Sequence, residues 1–208
     1  MAVTAQQVKD LREATGAGPL DCKKALETTD GDVQKAIALL RDKGLARAAK
    51  KLSAGRAMNE GVIESYLHFN RRLGVIVEVN CETDFVANTE QFRTFAKDLA
   101  LHIANLNPEY IRREDVPAAV VDAERQIQLR RVIEEGKPEA VAEKIVTGRM
   151  DKFFEEIVLL EQSFLKDDDK TIQQLLSETV AGLGESIEIR RFARFALGEG
   201  AADDGGDE

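Results

Sequence analysis

Apolar residues in the first 45 positions recur at the spacing of one helix face, which predicts three short amphipathic helices. The apolar positions are Val8 and Leu11, then Cys22, Ala25 and Leu26, then Val33, Ala36, Ile37 and Leu40. Thr4 suits the N-cap of the first helix, Gly16 would end it, and Pro19 suits the first turn of the second, where a missing N–H costs nothing. Asp32 is a candidate cap for the third helix, which we expect to end at Gly44. Three such helices would form a small bundle.

From residue 60 the period of the pattern changes to two, which predicts β-strands. The alternating sets are Ile63, Ser65, Leu67 and Phe69, and then Leu73, Val75, Val77 and Val79. The two runs are separated by Asn70, Arg71 and Arg72, so we predict a β-hairpin that packs on one side. Near the end of the chain a last strand is predicted to pair with this hairpin. The residues that indicate this strand are Ile187, Ile189, Ala193, Phe195 and Leu197.

Between the hairpin and the last strand the pattern is mainly helical. Helices are predicted from about Glu90 to Asn105, from Pro117 to a break at residues 136–138, and over residues 171–183. The second of these helices is followed by apolar residues spaced 4, 3, 4, 3 and 4 apart, which is heptad spacing. They are Val146, Met150, Phe153, Ile157, Leu160 and Phe164. Residues 118–162 are therefore predicted to form a helical hairpin with a coiled-coil seam.

These elements indicate the α+β class. The predicted domains are a three-helix N-terminal docking domain at residues 1–45, an Ala-, Lys- and Arg-rich linker at 46–59, and a core domain at 60–200. In the core, helices cover a small antiparallel sheet and the helical hairpin projects. Residues 201–208 hold acids and small residues only, so we expect a disordered acidic tail.

The charge of the chain is unevenly distributed. Residues 1–57 hold 11 Lys and Arg against 7 Asp and Glu, and the remainder holds 18 against 31, for a net charge of −9 overall. An acidic body disfavours direct nucleic-acid binding, because phosphates would meet like charge. No apolar run approaches the roughly 20 residues that span a bilayer, and no signal peptide is evident. The two cysteines fit a reducing compartment, so we expect a cytoplasmic protein without a membrane partner.

Candidate catalytic chemistry is sparse. The sequence has no phosphate-binding GxxxxGK[ST] loop and no Cys and His spacing typical of zinc sites. His68, His102, Cys22 and Cys81 stand apart from one another in the pattern, and we interpret them as structural. We therefore expect no enzyme activity and no cofactor.

The segment from Cys81 to Asn88, CETDFVAN, joins a predicted strand to a predicted helix. Thr83 or Asp84 would cap that helix, and Phe85 and Val86 would pack inward as a hydrophobic staple. Alternatively, Phe85 points outward beside the carboxylate of Asp84, as a wedge for a partner. Burying an exposed Phe in a partner is worth roughly 1.5–3 kcal/mol, and a nearby anion would disturb a metal–phosphate site. The spacing alone leaves both alternatives open.

Three long motifs resemble the elongation factor Ts family. They are LRxxTGAGxxDCKKAL at 11–26 with GDxxKAIxxLRxKG at 31–44, EVNCETDFVAN at 78–88, and GKPExxxEKIVxGRMxKFxxExxLLEQ at 136–162. The resemblance implies a guanine nucleotide exchange factor for elongation factor Tu that needs no cofactor. It also implies that the N-terminal domain is a bundle similar to ubiquitin-associated domains.

The resemblance further implies roles for particular residues. Family contacts with the nucleotide-binding domain of elongation factor Tu correspond to Leu11, Arg12, Pro19 and Leu20. The loop of Thr83, Asp84, Phe85 and Val86 corresponds to the element that disturbs the partner's Mg²⁺ site, with Phe85 as the wedge. The chain has one such loop and room for one core, so it is similar to the short form of the family, for which a homodimer is a hypothesis.

Three other functions compete with this one. A non-catalytic adaptor using the N-terminal bundle would give Phe85 no special role. A ribosome-bound factor using the basic residues between 41 and 56 would show a strong salt dependence. An enzyme with an unrecognised site would turn over substrate without any GTPase.

Overall fold

The computed structural model describes residues 3–52 and 57–199. The long helices and strands follow the order that the sequence pattern predicts, whereas the short strands Ser163–Phe164 and Asp167–Thr171 were not predicted. The helices are α1 (Ala5–Thr15), α2 (Pro19–Thr28), α3 (Val33–Leu52), α4 (Asp84–Ala87), α5 (Glu90–Leu106), α6 (Ala118–Glu134), α7 (Glu139–Ile157) and α8 (Ile172–Leu183). The strands are β1 (Glu60–Leu67), β2 (Leu73–Cys81), β3 (Ser163–Phe164), β4 (Asp167–Thr171) and β5 (Ile187–Ala196). The predicted mixed class of helices and a small antiparallel sheet is confirmed.

The first helix begins and ends, and the second begins, where their predicted boundary residues lie. The Thr4 hydroxyl accepts a hydrogen bond from Gln7 N–H in a capping box, and Gly16 takes the left-handed conformation, with φ 67°, that ends α1. Pro19 opens α2, and the Asp32 carboxylate accepts from Lys35 N–H at 3.1 Å at the start of α3. The three helices bury a small apolar core of Leu11, Cys22, Ala25, Leu26, Ala36 and Leu40. The likeness of this bundle to ubiquitin-associated domains stays a prediction.

The third helix was predicted to end at Gly44, but in the structure it continues to Leu52. The residues that follow Gly44 are mostly Ala, Leu, Lys and Arg, which are strong helix formers. Gly44 also has a packing role, because a Cβ at this position would lie 3.3 Å from the Cβ of Ala181 in α8. The first half of the predicted linker is therefore helical, whereas residues 53–56 and the predicted tail at 201–208 lie outside the described residues.

The three long strands form one sheet in the order β1-β2-β5. His68 N–H donates to the Leu73 carbonyl at 2.9 Å, which closes the turn between β1 and β2. The inward set of β2 is confirmed, because Val75, Val77 and Val79 are buried. The set in β1 differs from the prediction, and the exposed face of β5 changes along its length.

In β1, the predicted inward residues face the other way, with Ile63 70%, Leu67 64% and Phe69 88% exposed. The turn explains the difference. Because His68 pairs with Leu73, the even-numbered residues of β1 share a face with the odd-numbered residues of β2. The pattern identified the period of β1 but assigned its apolar set to the wrong face.

In β5, Ile187 and Ile189 are buried, but Phe195 is 70% and Leu197 68% exposed. The alternation shifts where two consecutive residues, Arg190 and Arg191, are both exposed. The Arg191 Nε donates to Glu78 Oε2 at 2.6 Å, which places the later odd-numbered residues of β5 on the outer face of β2. We call the resulting set of exposed residues the outer sheet patch: Ile63, Leu67, Phe69, Ile76, Phe195 and Leu197.

The helical hairpin is formed by α6 and α7, and its turn contains Gly136 in the left-handed region with φ 68°. Its core consists of Val116, Val132, Ala142, Val146, Met150, Phe154 and Val158. The predicted seam extended too far, because α7 ends at Ile157. Leu160 lies in a 3₁₀ turn and Phe164 in β3. Beyond Ile157 the backbone instead bonds to the segment before α6, with Leu159 N–H donating to Tyr110 O at 2.8 Å.

The chain divides into two compact units. The first contains Met1–Gly61, Asn80–Arg93 and Leu176–Glu188, and the second contains Val62–Val79, Thr94–Leu175 and Ile189–Glu208. The predicted boundaries at residues 45 and 60 stay a prediction. Within the described ranges, no helix combines the length and the apolar character needed to cross a bilayer.

Candidate partner-binding surfaces

The loop between β2 and α5 presents one aromatic side chain to solvent. Thr83 is the N-cap of the single-turn helix α4, and its hydroxyl accepts from Val86 N–H at 3.4 Å. Val86 is 8% exposed, whereas Phe85 is 83% exposed. Asp84, beside Phe85, is also exposed. Of the two alternatives left open by the sequence, the outward orientation of Phe85 is therefore the one observed.

The backbone of this loop is held from both ends. At its start, the Cys81 thiol donates to the Thr83 carbonyl at 3.1 Å. At its end, the Asn88 side-chain amide donates to the Asp84 carbonyl at 2.9 Å, and its oxygen accepts from an Arg93 guanidinium nitrogen at 2.7 Å. Phe85 therefore projects from a corner whose main chain is hydrogen-bonded on both sides.

The Cys81 thiol belongs to this support rather than to a reactive site. It is fully buried, and burial raises the pKa of the thiol, assisted by the nearby charge of Glu185. A raised pKa keeps the thiol protonated at neutral pH, so it remains a hydrogen-bond donor and a poor nucleophile. The structural interpretation of Cys81 is consistent with this geometry.

Two carboxylates that sequence reasoning did not single out join the loop to the segment between α8 and β5. Glu185 accepts from Thr83 N–H at 3.1 Å and from the Thr83 hydroxyl at 2.8 Å. In the opposite direction, Glu82 accepts from Ser186 N–H at 2.8 Å. Thr83 and Glu185 are 102 residues apart in the chain. No local pattern could have paired them, because both look like ordinary surface acids and caps in sequence.

The N-terminal bundle exposes a second candidate surface around the start of α2. Leu20 is 73% exposed, and Pro19 and Arg12 are also exposed. Leu11 differs from these, because it is 1% exposed and packs in the bundle core. Leu11 therefore cannot touch a partner directly, and it can support a binding surface only by packing beneath it.

The remaining candidate residues have structural surroundings. Cys22 is fully buried in the bundle core. The Tyr66 hydroxyl and His68 Nδ1 share a hydrogen bond of 2.8 Å, and His102 is fully buried against Gln162. In the part of the chain that the structure describes, no three His, Cys, Asp or Glu side chains are arranged to hold a metal ion.

The surface that carries Phe85 and the surface that carries Leu20 lie in the same compact unit. Residues 80–93 join the N-terminal bundle there, although they follow it by more than 30 positions in sequence. Both candidate surfaces therefore belong to the same part of the structure.

Comparison with known proteins gives a consistent result. A family model described as Elongation factor TS matches residues 2–199. The chain is similar to a protein named Elongation factor Ts from Carboxydothermus hydrogenoformans, with 58% identity over 200 residues, which cover 96% of this chain and 91% of the relative. Proteins of the same name from Thermoanaerobacter sp. and Geobacter metallireducens are each 57% identical, covering 95% and 97% of this chain and 96% and 93% of the relatives.

Proposed function

The chain belongs to the elongation factor Ts family, and from that premise we propose that it is a guanine nucleotide exchange factor that promotes GDP release from elongation factor Tu in translation elongation. The physical basis is linkage. A factor that binds the empty GTPase more tightly than the loaded one must weaken nucleotide binding to the same extent. The factor carries out no bond chemistry and needs no cofactor of its own, since the Mg²⁺ belongs to the partner.

The observation that carries the mechanism is the exposure of Phe85, at 83%, on a corner whose backbone is hydrogen-bonded on both sides. Phe85 acts as the wedge, and burying it in the GTPase contributes roughly 1.5–3 kcal/mol to the complex. The exposed carboxylate of Asp84 adds a negative charge beside the partner's Mg²⁺ and nucleotide phosphates, which disfavours their retention. Thr83 and Val86 hold the wedge from within the loop.

The N-terminal bundle supplies affinity rather than the disturbance of the nucleotide. Arg12, Pro19 and Leu20 form the contact with the nucleotide-binding domain of elongation factor Tu, while Leu11 keeps α1 and α2 packed beneath them. Docking through the bundle would hold the wedge loop close to its target, because both belong to one compact unit.

The test is the release of a fluorescent GDP analogue from elongation factor Tu. We expect Phe85→Ala to lower the maximal release rate by about 10-fold or more, as expected for a loss of roughly 1.5–3 kcal/mol. Leu20→Ala should instead raise the factor concentration needed for half-maximal rate. Leu165→Ala, which truncates a 43%-exposed apolar side chain in the other unit, is the matched control and should behave as wild type.

Each outcome has a definite meaning. If Phe85→Ala releases GDP as fast as wild type, the wedge is wrong and the exchange function stands. If the wild-type protein does not accelerate release, the exchange function is wrong and the adaptor function, which gives Phe85 no role, takes its place.

We further propose that two copies of this chain associate through the outer sheet patch. Its six apolar side chains are 50–88% exposed and come from all three strands, the turn after β1 and the residue that follows β5. Isolated exposed apolar residues are ordinary, but a group on one sheet face is typical of an interaction surface. The proposal also includes a cytoplasmic location and no direct nucleic-acid or membrane contact. The net charge of −9 disfavours contact with phosphates, which carry the same sign of charge.

A further inference from the structure

Glu82, Thr83, Glu185 and Ser186 form a reciprocal set of hydrogen bonds, which we call the loop clasp. One side of the clasp is Glu82 and Thr83, and the other is Glu185 and Ser186. Each side contributes one carboxylate that accepts hydrogen bonds from the other side. Glu185 binds both donors of Thr83, and Glu82 binds the main chain of Ser186. We propose that Glu185 is a positioning residue for nucleotide release, acting through Thr83 to hold Phe85 in its outward orientation; this inference rests on the proposed function.

The contact between Glu185 and Thr83 fixes more than one atom. One carboxylate oxygen accepts from the backbone N–H at 3.1 Å and the other from the hydroxyl at 2.8 Å. With its proton directed to Glu185, the Thr83 hydroxyl presents its lone pairs to Val86 N–H, the bond that begins α4. The orientation of the helical turn that carries Phe85 therefore depends on a carboxylate outside the loop.

Glu185 and Ser186, the other half of the clasp, lie in the turn between α8 and β5. Gly184 takes φ 73° there, and its N–H donates to the Val180 carbonyl at 2.9 Å, which ends α8. Glu185 follows directly, and Ser186 is only 1% exposed at the entry to β5. Glu185 is half-buried, so its charged hydrogen bonds are less weakened by water than those of a fully solvated acid.

The expected role is preorganisation. A loop that already holds Phe85 outward loses little conformational freedom when the wedge enters a partner, whereas a loosened loop must be ordered at that moment. Loss of the clasp should therefore lower the maximal release rate more than the affinity for elongation factor Tu. A carboxylate that only stabilised the fold would not lower the maximal release rate more than the affinity.

The experiment is a double-mutant cycle between Glu185 and Phe85, measured by GDP release. We expect Glu185→Ala to lower the maximal rate on the order of tenfold in the wild-type background, since charged hydrogen bonds are lost. In the Phe85→Ala background the same change should cost less than about twofold, because the wedge it positions is absent. Glu185→Gln, which keeps one acceptor, should lie between, and it serves if the alanine variant does not fold. Glu178→Ala, which removes a carboxylate of α8 that binds Arg41, is the control.

A second readout does not depend on exchange activity. Amide hydrogen exchange of residues 86–88 should quicken in Glu185→Ala and not in Glu178→Ala. Equal costs of Glu185→Ala in both backgrounds, or unchanged amide protection, would overturn the positioning role while leaving the exchange function intact. If the wild-type protein does not accelerate GDP release, yet Glu185→Ala still shows the change in amide protection, the function is overturned and the clasp is left as a purely structural device.

Discussion

At the scale of one residue, the surroundings of His102 determine its protonation state. It is fully buried, and its Nδ1 accepts from Leu165 N–H at 3.3 Å. The proton must therefore be on Nε2, which lies 2.9 Å from the Gln162 side-chain oxygen. Burial lowers the pKa of His102, and the hydrogen bond to Gln162 opposes that shift in part. Neutral His102 thus links α5 to the start of β3 and β4.

The lowered pKa predicts a pH dependence of stability. The unfolded chain takes up a proton at His102 near pH 6.5, whereas the folded chain resists it. The free energy of unfolding should therefore fall as pH drops below about 6.5, by at most about 1.4 kcal/mol per pH unit, until the folded pKa is passed. Urea unfolding of wild type and His102→Gln between pH 5 and 7.5 (a range chosen around the reference pKa of about 6.5) checks this.

The glutamine variant should lose that slope, and His68→Gln, which removes the other histidine, tests whether the slope belongs to His102. A wild-type stability that is flat over this range, or equally steep in His102→Gln, would contradict the prediction.

The candidate site could be predicted at residue scale only where the signal was local. The loop from Cys81 to Asn88 was identified from its composition at a strand–helix junction, and Thr83 as a cap follows from its side chain. The direction of Phe85 could not be predicted, because Phe85 and Val86 are both apolar and only tertiary packing buries one of them. Glu185 was missed for the same reason, since its partner lies far away in sequence.

At the scale of elements, helix starts and breaks were predictable and interior glycines were not. Thr4, Gly16, Pro19 and Asp32 mark boundaries by local hydrogen bonding or φ restriction, and each marks one in the structure. Gly44 looks like a stop in sequence, yet here it serves close helix packing against Ala181. A glycine can either end a helix or let a neighbour approach, and only the fold distinguishes the two.

This difference predicts opposite responses of two helical glycines to alanine. Gly148 lies in α7, where a Cβ would meet nothing within 4 Å. Gly148→Ala should therefore stabilise the protein by about 0.5–1 kcal/mol, the helix-propensity gain. Gly44→Ala has the same intrinsic gain, but its Cβ would press on Ala181 at 3.3 Å, so it should gain less or destabilise. Urea midpoints of the two variants make the comparison, and a larger gain for Gly44→Ala would contradict it.

At the scale of the whole molecule, the order of elements was predictable and the long-range arrangement was not. The period of the pattern located every long strand and helix, but the faces of β1 and β5 depend on the register of the sheet. The first compact unit also assembles segments from three separate parts of the chain. The outer sheet patch, which is the support for self-association, is itself a product of that register.

Self-association through the outer sheet patch predicts a mass by light scattering of twice the 23.0 kDa chain. Leu67→Lys combined with Phe195→Lys places cations on two strands of the patch, and burying unpaired charge against a second copy is unfavourable. We expect this variant to elute as a monomer with an unchanged circular dichroism spectrum, because both side chains are largely exposed within one chain. Ile133→Lys, at a 63%-exposed position near the hairpin turn, is the control and should keep the dimer mass. A wild-type protein that remains a 23.0 kDa monomer at micromolar concentration would rule out the dimer, whereas a dimer that persists in the double-lysine variant would move the interface to another surface.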